Sequence, residues 1–377
     1  MAQKLDVGLD KKYHSINEAL KVSDDGDTVF ISSGIYKEDC IVNRKITIVG
    51  EDGVVVEPSE QMCVILVASC TIKNVSFQKH TDFSYAEFKK KIDDNDFRNS
   101  VEDSKDELEY TNDCCVQVTK IKAVFENCRF CKNDYDGLYL QNANVEMKKC
   151  EFFDFGKRAI FADGNSFLKM TNCTVHDNMR SFVIDDTAVV SLLHCDISKT
   201  LDTSITMNKD TKFGAENSLF DENRNTFVLN EKAHLDLTSC KIKNANQCIS
   251  LNYESCAILD KCSFVGDYNE MTGIVVDEDS RIFVDGCIFK NLYQGIKAYT
   301  TQEQMINNCS FNNVNYPFDS DDIPSHCKIL NCKFSHADFG IKINRVSRVF
   351  IESCFIEKCG VGIFCARKEN ANLKTIQ

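Results

Sequence analysis

The sequence predicts an all-β chain wound as a right-handed parallel β-helix, a solenoid of about a dozen coils of 22–23 residues. Three observations predict it. A cysteine-centred motif recurs at near-constant spacing, a second apolar landmark follows it, and a third precedes it.

The motif (Asn)-Cys-x-(Phe/Ile/Val) has its first position at Cys128, Cys150, Cys173, Cys195, Ser218, Cys240, Cys262, Cys287, Cys309, Cys332 and Cys354. Successive spacings are 22, 23, 22, 23, 22, 22, 25, 22, 23 and 22. The second landmark runs Leu138, Ile160, Phe182, Ile205, Phe227, Ile249, Ile274, Ile296, Phe318, Ile341 and Ile363, often behind a glycine such as Gly137, Gly273 or Gly295. The third is an apolar pair ahead of the cysteine, as in Val145/Met147, Leu168/Met170 and Leu235/Leu237. Each landmark alternates with period two over a few residues, which is a short strand. Three such strands bury nothing alone. Stacked at the ~4.8 Å strand spacing they set like residues over like and make a continuous interior. The leucine-rich consensus is missing, and a propeller blade needs about 40 residues.

Cysteine at the recurring position reads as a small buried hydrophobe at a corner. Coils in register hold Cβ atoms ~4.8 Å apart, beyond the ~3.5–4.5 Å of a disulfide. A row of free thiols is expected in a reducing compartment. The N-terminus MAQKLDVGLDKKYHS lacks the apolar core of a secretory signal, so the expected location is cytoplasmic. No apolar run nears the roughly 18 residues of a membrane span. The net charge of -13 speaks against a nucleic-acid partner and against acidic polysaccharides. With no tryptophan to stack on sugar rings, a carbohydrate partner is disfavoured as well.

One domain, 1–377, is expected. It comprises a cap and first coil (1–50), a charged insertion (78–112), regular coils (113–365) and a polar tail (366–377) that covers the C-terminal edge. An open solenoid end exposes strand edges and calls for a cap. Ser15–Val22 supplies a helix with Ile16, Ala19 and Leu20 on one face. There follow Gly26-Asp27-Thr28-Val29 and Gly34-Ile35-Tyr36-Lys37-Glu38. With the later repeats, this opening resembles pectin-lyase-like β-helix proteins over nearly the whole chain. It is also similar to the β-helical repeat regions of F-box and Shc-binding proteins and of bacterial cytosolic β-helix proteins. The resemblance implies the fold and leaves the function open.

The enzymes of that superfamily imply particular constellations. These are an Asp cluster with Arg in pectate lyases, and Asn-Thr-Asp, Asp-Asp and Arg-Ile-Lys in polygalacturonases. Methylesterases share the pattern of Gly34–Glu38, but their Gln, paired Asp and Trp-containing signatures find no match here. No catalytic set is therefore expected. The leftovers are Asp163, Asp185, Asp186, His176 and His194, on neighbouring coils. Clustered, they would bind Ca²⁺ or supply an acid/base pair. The favoured reading is turn aspartates and surface histidines. No metal and no cofactor are expected: Cys128-x-x-Cys131 lacks a second ligand pair, and there is no phosphate loop or dinucleotide fingerprint.

Beside the inward residue, the outward position reads Tyr139, Phe161 and Val183 in early coils and turns polar at Lys297, Asp319 and Lys342. The insertion carries a helical apolar stripe of Phe83, Phe88, Ile92 and Phe97. A binding surface of Tyr139, Phe161, Val183, Phe83 and Phe88 follows, with the insertion or a partner packed over the first three. The leading expectation is a non-catalytic scaffold with a protein partner. The alternatives are a polysaccharide-active lyase or hydrolase and a self-assembling structural protein.

Overall fold

Along most of the short strands, apolar residues point inward and polar ones outward, and like residues pair across coils. In the computed structural model, Phe213, Leu235, Ala257 and Ile282 lie in parallel register, as do Ala215, Leu237, Leu259 and Val284. The model describes residues 2–58, 64–79, 81–93, 113–267, 270–320, 326–344, 347–366 and 371–376. The fold is an all-β parallel solenoid of about 15 turns, which raises the expected dozen. The uncounted turns lie outside the cysteine motif. Early strands such as Thr28–Ile31, Thr47–Gly50 and Val54–Val56 build coils without it. At the other end, Ala371–Ile376 pairs with Arg348–Glu357, so the polar tail adds a strand.

Two compact units make up the chain. The first holds residues 1–183, 188–190 and 199–201; the second holds 184–187, 191–198 and 202–377. In the first, Lys4–Val7, Thr28–Ile31, Thr47–Gly50, Cys70–Lys73, Lys122–Glu126, Asn144–Lys148 and Phe167–Thr171 pair in that order. In the second, Lys212–Glu216, His234–Thr238, Cys256–Asp260, Arg281–Asp285, Glu303–Asn307, His326–Leu330 and Arg348–Glu357 do the same. Phe264, Phe289, Phe311 and Phe334 stack inside the second unit with centroids 4.6, 4.6 and 5.0 Å apart.

The recurring cysteines sit at a backbone corner. The residue before each turns left-handed, with φ of 54° at Asn127, 53° at His194, 51° at Lys261 and 52° at Asn308. Asparagine tolerates that conformation best among residues with a side chain, which explains its frequency there. Each thiol then meets backbone carbonyls: Cys287 Sγ donates to Asp285 O at 3.4 Å and Leu259 O at 3.6 Å. Sulfur also accepts, from the backbone N–H of Cys150 to Cys173 and of Cys262 to Cys287, both 3.3 Å. Ser218 substitutes without loss, its Oγ taking the Cys195 N–H at 3.1 Å. The cysteines among the described residues are all free.

At the N-terminal end, α1 (Ile16–Val22) starts on Ser15, whose hydroxyl accepts the Glu18 N–H, and buries Ile16, Ala19 and Leu20. Glu38 accepts from the N–H groups of Ile16 and Asn17 at 2.8 and 2.9 Å. Asp27 ties Gln3 and Asp24 through its two oxygens at 2.7 and 2.9 Å. The Gly-Asp-Thr and Gly-x-Tyr-x-Glu motifs therefore fasten the cap.

In the insertion, α2 (Tyr85–Asp93) forms where the apolar stripe predicts a helix. Asp134 Oδ1 accepts from Thr81, Asp82 and Phe83, and the Phe83 ring is buried 5.2 Å from that of Phe88. Residues 94–112, including Phe97, and the side chain of Ile92 lie outside what is described.

Candidate functional site

Of the expected carboxylates, Asp163 belongs to the first unit and Asp185 and Asp186 to the second. In the first, Asp163 is buried and accepts from the Gly164 N–H at 2.7 Å and the Tyr139 hydroxyl at 3.4 Å. Tyr139 and Phe161 stack at 5.2 Å, and with Val183 and Cys114 they form a cluster against which Ile65 packs. These outward residues are only 7%, 2% and 7% exposed at Tyr139, Phe161 and Val183. Beneath them, Arg158 lies 4.0 Å over the Phe161 ring and pairs with buried Asp136.

His176 does not join Asp163 in a carboxylate–imidazole pair. It bonds Asp177 at 2.7 Å and Glu151 at 3.3 Å and stacks on Phe153. The Asp177 hydrogen bond outweighs desolvation and, with the weaker contribution of Glu151, raises the imidazole pKa above its ordinary value. In the second unit, His194 takes the left-handed corner before Cys195 and its N–H bonds Glu216 O. It is an element of the turn.

Asp185 and Asp186, also in the second unit, are brought together by Lys209, whose ammonium lies 3.2 Å from the first and 2.5 Å from the second. The hydrogen bond to Asp186, followed by that to Asp185, raises the Lys209 pKa. Lys209 leads into a cleft the sequence reading missed. The strands Thr203–Met207, Asn225–Leu229 and Gln247–Leu251 each run into an asparagine: Asn208, Asn230, Asn252. Their amides chain along the coils, Asn230 donating to Asn208 at 3.0 Å and Asn252 to Asn230 at 3.1 Å. The chain then turns left-handed at Lys209, Glu231 and Tyr253, with φ of 57°, 59° and 53°.

That turn throws Lys209, Asp210, Glu231, Lys232, Tyr253 and Glu254 around a cleft of about 330 Å³. Among the described residues, Asp210, Glu231, Lys232, Tyr253 and Glu254 make no side-chain hydrogen bond or ion pair. Tyr253 is 57% exposed. The cleft thus offers three uncommitted carboxylates, one uncommitted ammonium and an open aromatic face. The visible signal was Asn208-Lys209-Asp210, Asn230-Glu231-Lys232 and Asn252-Tyr253-Glu254, at 22-residue intervals. The carboxylates suit proton transfer, and the ring suits stacking.

The coil, corner and cap together define a right-handed parallel β-helix. The chain belongs to the family described as the right handed beta helix region, whose pattern matches residues 34–229 and 225–375. No curated protein matches it in sequence. Solved structures share the fold. A mannuronic acid specific polysaccharide family 6 lyase from human gut microbiota has a TM-score of 0.52 at 10% identity, over 94% of this chain and 87% of that one. A GH87 alpha-1,3-glucanase catalytic domain has a TM-score of 0.49 at 10% identity, over 100% and 68%. A pectin methylesterase from Yersinia enterocolitica has a TM-score of 0.35 at 17% identity, over 62% and 80%.

The neighbour with the TM-score of 0.52, a polysaccharide lyase, runs against the leading expectation of a non-catalytic scaffold with a protein partner and corrects it. The chain has no tryptophan, and the open ring in the cleft is Tyr253. At such identities the likeness establishes the fold; the reaction has to be argued from the cleft.

Proposed function

We propose that this chain is a polysaccharide-active lyase or hydrolase whose cleft is lined by Lys209, Asp210, Glu231, Lys232, Tyr253 and Glu254. The observation that carries the reading is the set of uncommitted carboxylates beside an exposed ring. Glycosidic cleavage needs a proton donor at the leaving oxygen and a second group that takes a proton or attacks, and carboxyl pairs do both. The polysaccharide lyase of like fold lends support to a glycan substrate. We propose a reducing compartment as its location; the free buried cysteines support it.

The test is a panel of polysaccharides assayed for new reducing ends and for unsaturated products. Wild type is compared with Asp210→Asn, Glu231→Gln and Glu254→Gln. Turnover is expected for wild type, and a loss of about 100-fold or more in at least two variants with unchanged circular dichroism. Absence of binding and turnover across the panel would sink the proposal.

A further inference from the structure

We infer that the cleft takes a neutral glycan, stacked on Tyr253, and cleaves it by hydrolysis; this rests on the polysaccharide reading above. The charges lining the cleft decide the substrate class. Lys209 is already held by Asp185 and Asp186. What remains is Lys232 against Asp210, Glu231 and Glu254. A uronate chain would bring one further carboxylate per ring into a cleft whose uncommitted groups are already net negative. Like charges at such range repel, and the protein's net charge of -13 deepens the effect. Elimination from a uronate also needs that carboxylate neutralised while a base removes the neighbouring proton, and one lysine must serve both needs here. A neutral chain meets neither obstacle.

Tyr253 marks where the sugar lies. It and Glu254 are consecutive left-handed residues, with φ of 53° and 62°. Side-chain-bearing residues avoid that conformation, and here two in succession both line the cleft. The Asn252 amide, bonded to Asn230, fixes the base of this turn. Sugar rings present apolar C–H faces, which pack on an open aromatic face as other apolar groups do. In the reaction, a protonated carboxyl of the cleft gives its proton to the glycosidic oxygen as the bond from that oxygen to the anomeric carbon breaks. Water forms the new bond to that carbon, and a second, ionised carboxylate takes the proton that water loses. The products are two chains, one ending in the water's oxygen.

The experiment uses the full chain with soluble glucans, mannans and xylans in one arm and pectate and alginate in the other. Wild type, Tyr253→Ala and Tyr253→Phe are compared, with the reaction run in ¹⁸O-water. The expected result is cleavage of a neutral polymer with one ¹⁸O per new reducing end. Tyr253→Ala should weaken binding about tenfold, and Tyr253→Phe should preserve it. Cleavage confined to pectate or alginate, with unsaturated ends and no ¹⁸O, overturns this inference while leaving the polysaccharide reading intact. Neutral-glycan affinity unchanged in Tyr253→Ala overturns the stacking site. No action on either arm removes both.

Discussion

Arg158 grips Asp136 through two parallel hydrogen bonds, Nε to Oδ1 at 2.7 Å and Nη2 to Oδ2 at 2.6 Å, with both side chains 4% exposed or less. The same guanidinium lies 4.0 Å over the ring of Phe161, which stacks on Tyr139. An ion pair out of water stands only while both partners are present, because a lone buried charge is costly. Asp136→Asn or Arg158→Met alone is expected to destabilise the protein by about 3–5 kcal/mol. The double variant should cost less than the sum, which urea denaturation of all four proteins would show.

The N-terminal cap has its own fastening. Glu38→Ala removes both acceptors from the first turn of α1 and is expected to cost about 1–3 kcal/mol. Amide exchange should rise first at Ile16 and Asn17, while Glu38→Gln keeps part of the protection. Equal exchange in all three proteins would show that the apolar face of α1 holds the cap unaided.

A pH dependence follows from His176. Its pKa in the fold is raised by Asp177 and Glu151, so protonation and folding favour one another. The stabilisation is complete below the unfolded-state value of about 6.5 and is lost as pH rises through the higher folded value. Denaturation midpoints of wild type and His176→Gln should therefore differ most near pH 5.5 and converge by pH 9. A difference independent of pH would assign the effect to packing on Phe153 instead.

Thiol chemistry reports on the coils. Burial pushes Cys40 and Cys70 up to about 12, so they are expected to stay unreactive toward a disulfide reagent at pH 8. Half-buried Cys256, Cys359 and Cys365 should label in the native protein. Mass spectrometry of labelled peptides, native and in guanidinium, distinguishes the two groups. Native labelling of Cys40 or Cys70 would mean that the early coils open.

The coil was legible because the interior imposes one chemical demand every 22 or 23 residues, once 25, and Cys128 to Cys354 answer it in nearly the same way. The cap was legible because Ser15 opens α1 by a local bond and Asp27 and Glu38 stand in recognisable short motifs, although their partners lie about one coil away. The turns before Cys128 were harder to count, since Val54–Val56 and its neighbours fill the interior with other residues. The cleft escaped notice for a different reason. Glu231, Lys232, Tyr253 and Glu254 share a position but not a chemistry, so no residue type repeats there. Only the invariable Asn208, Asn230 and Asn252 beside them betrayed the row.

Those three asparagines have a consequence for how such a protein changes length. Asn230 gives an amide hydrogen to Asn208 on the preceding coil and offers its oxygen to Asn252 on the next. A duplicated 22-residue segment would arrive with both halves of that connection already in place, so an added turn needs no new packing solution. The neighbouring positions carry no such obligation and are free to diverge. The scaffold copies itself, while its working face is rewritten one coil at a time.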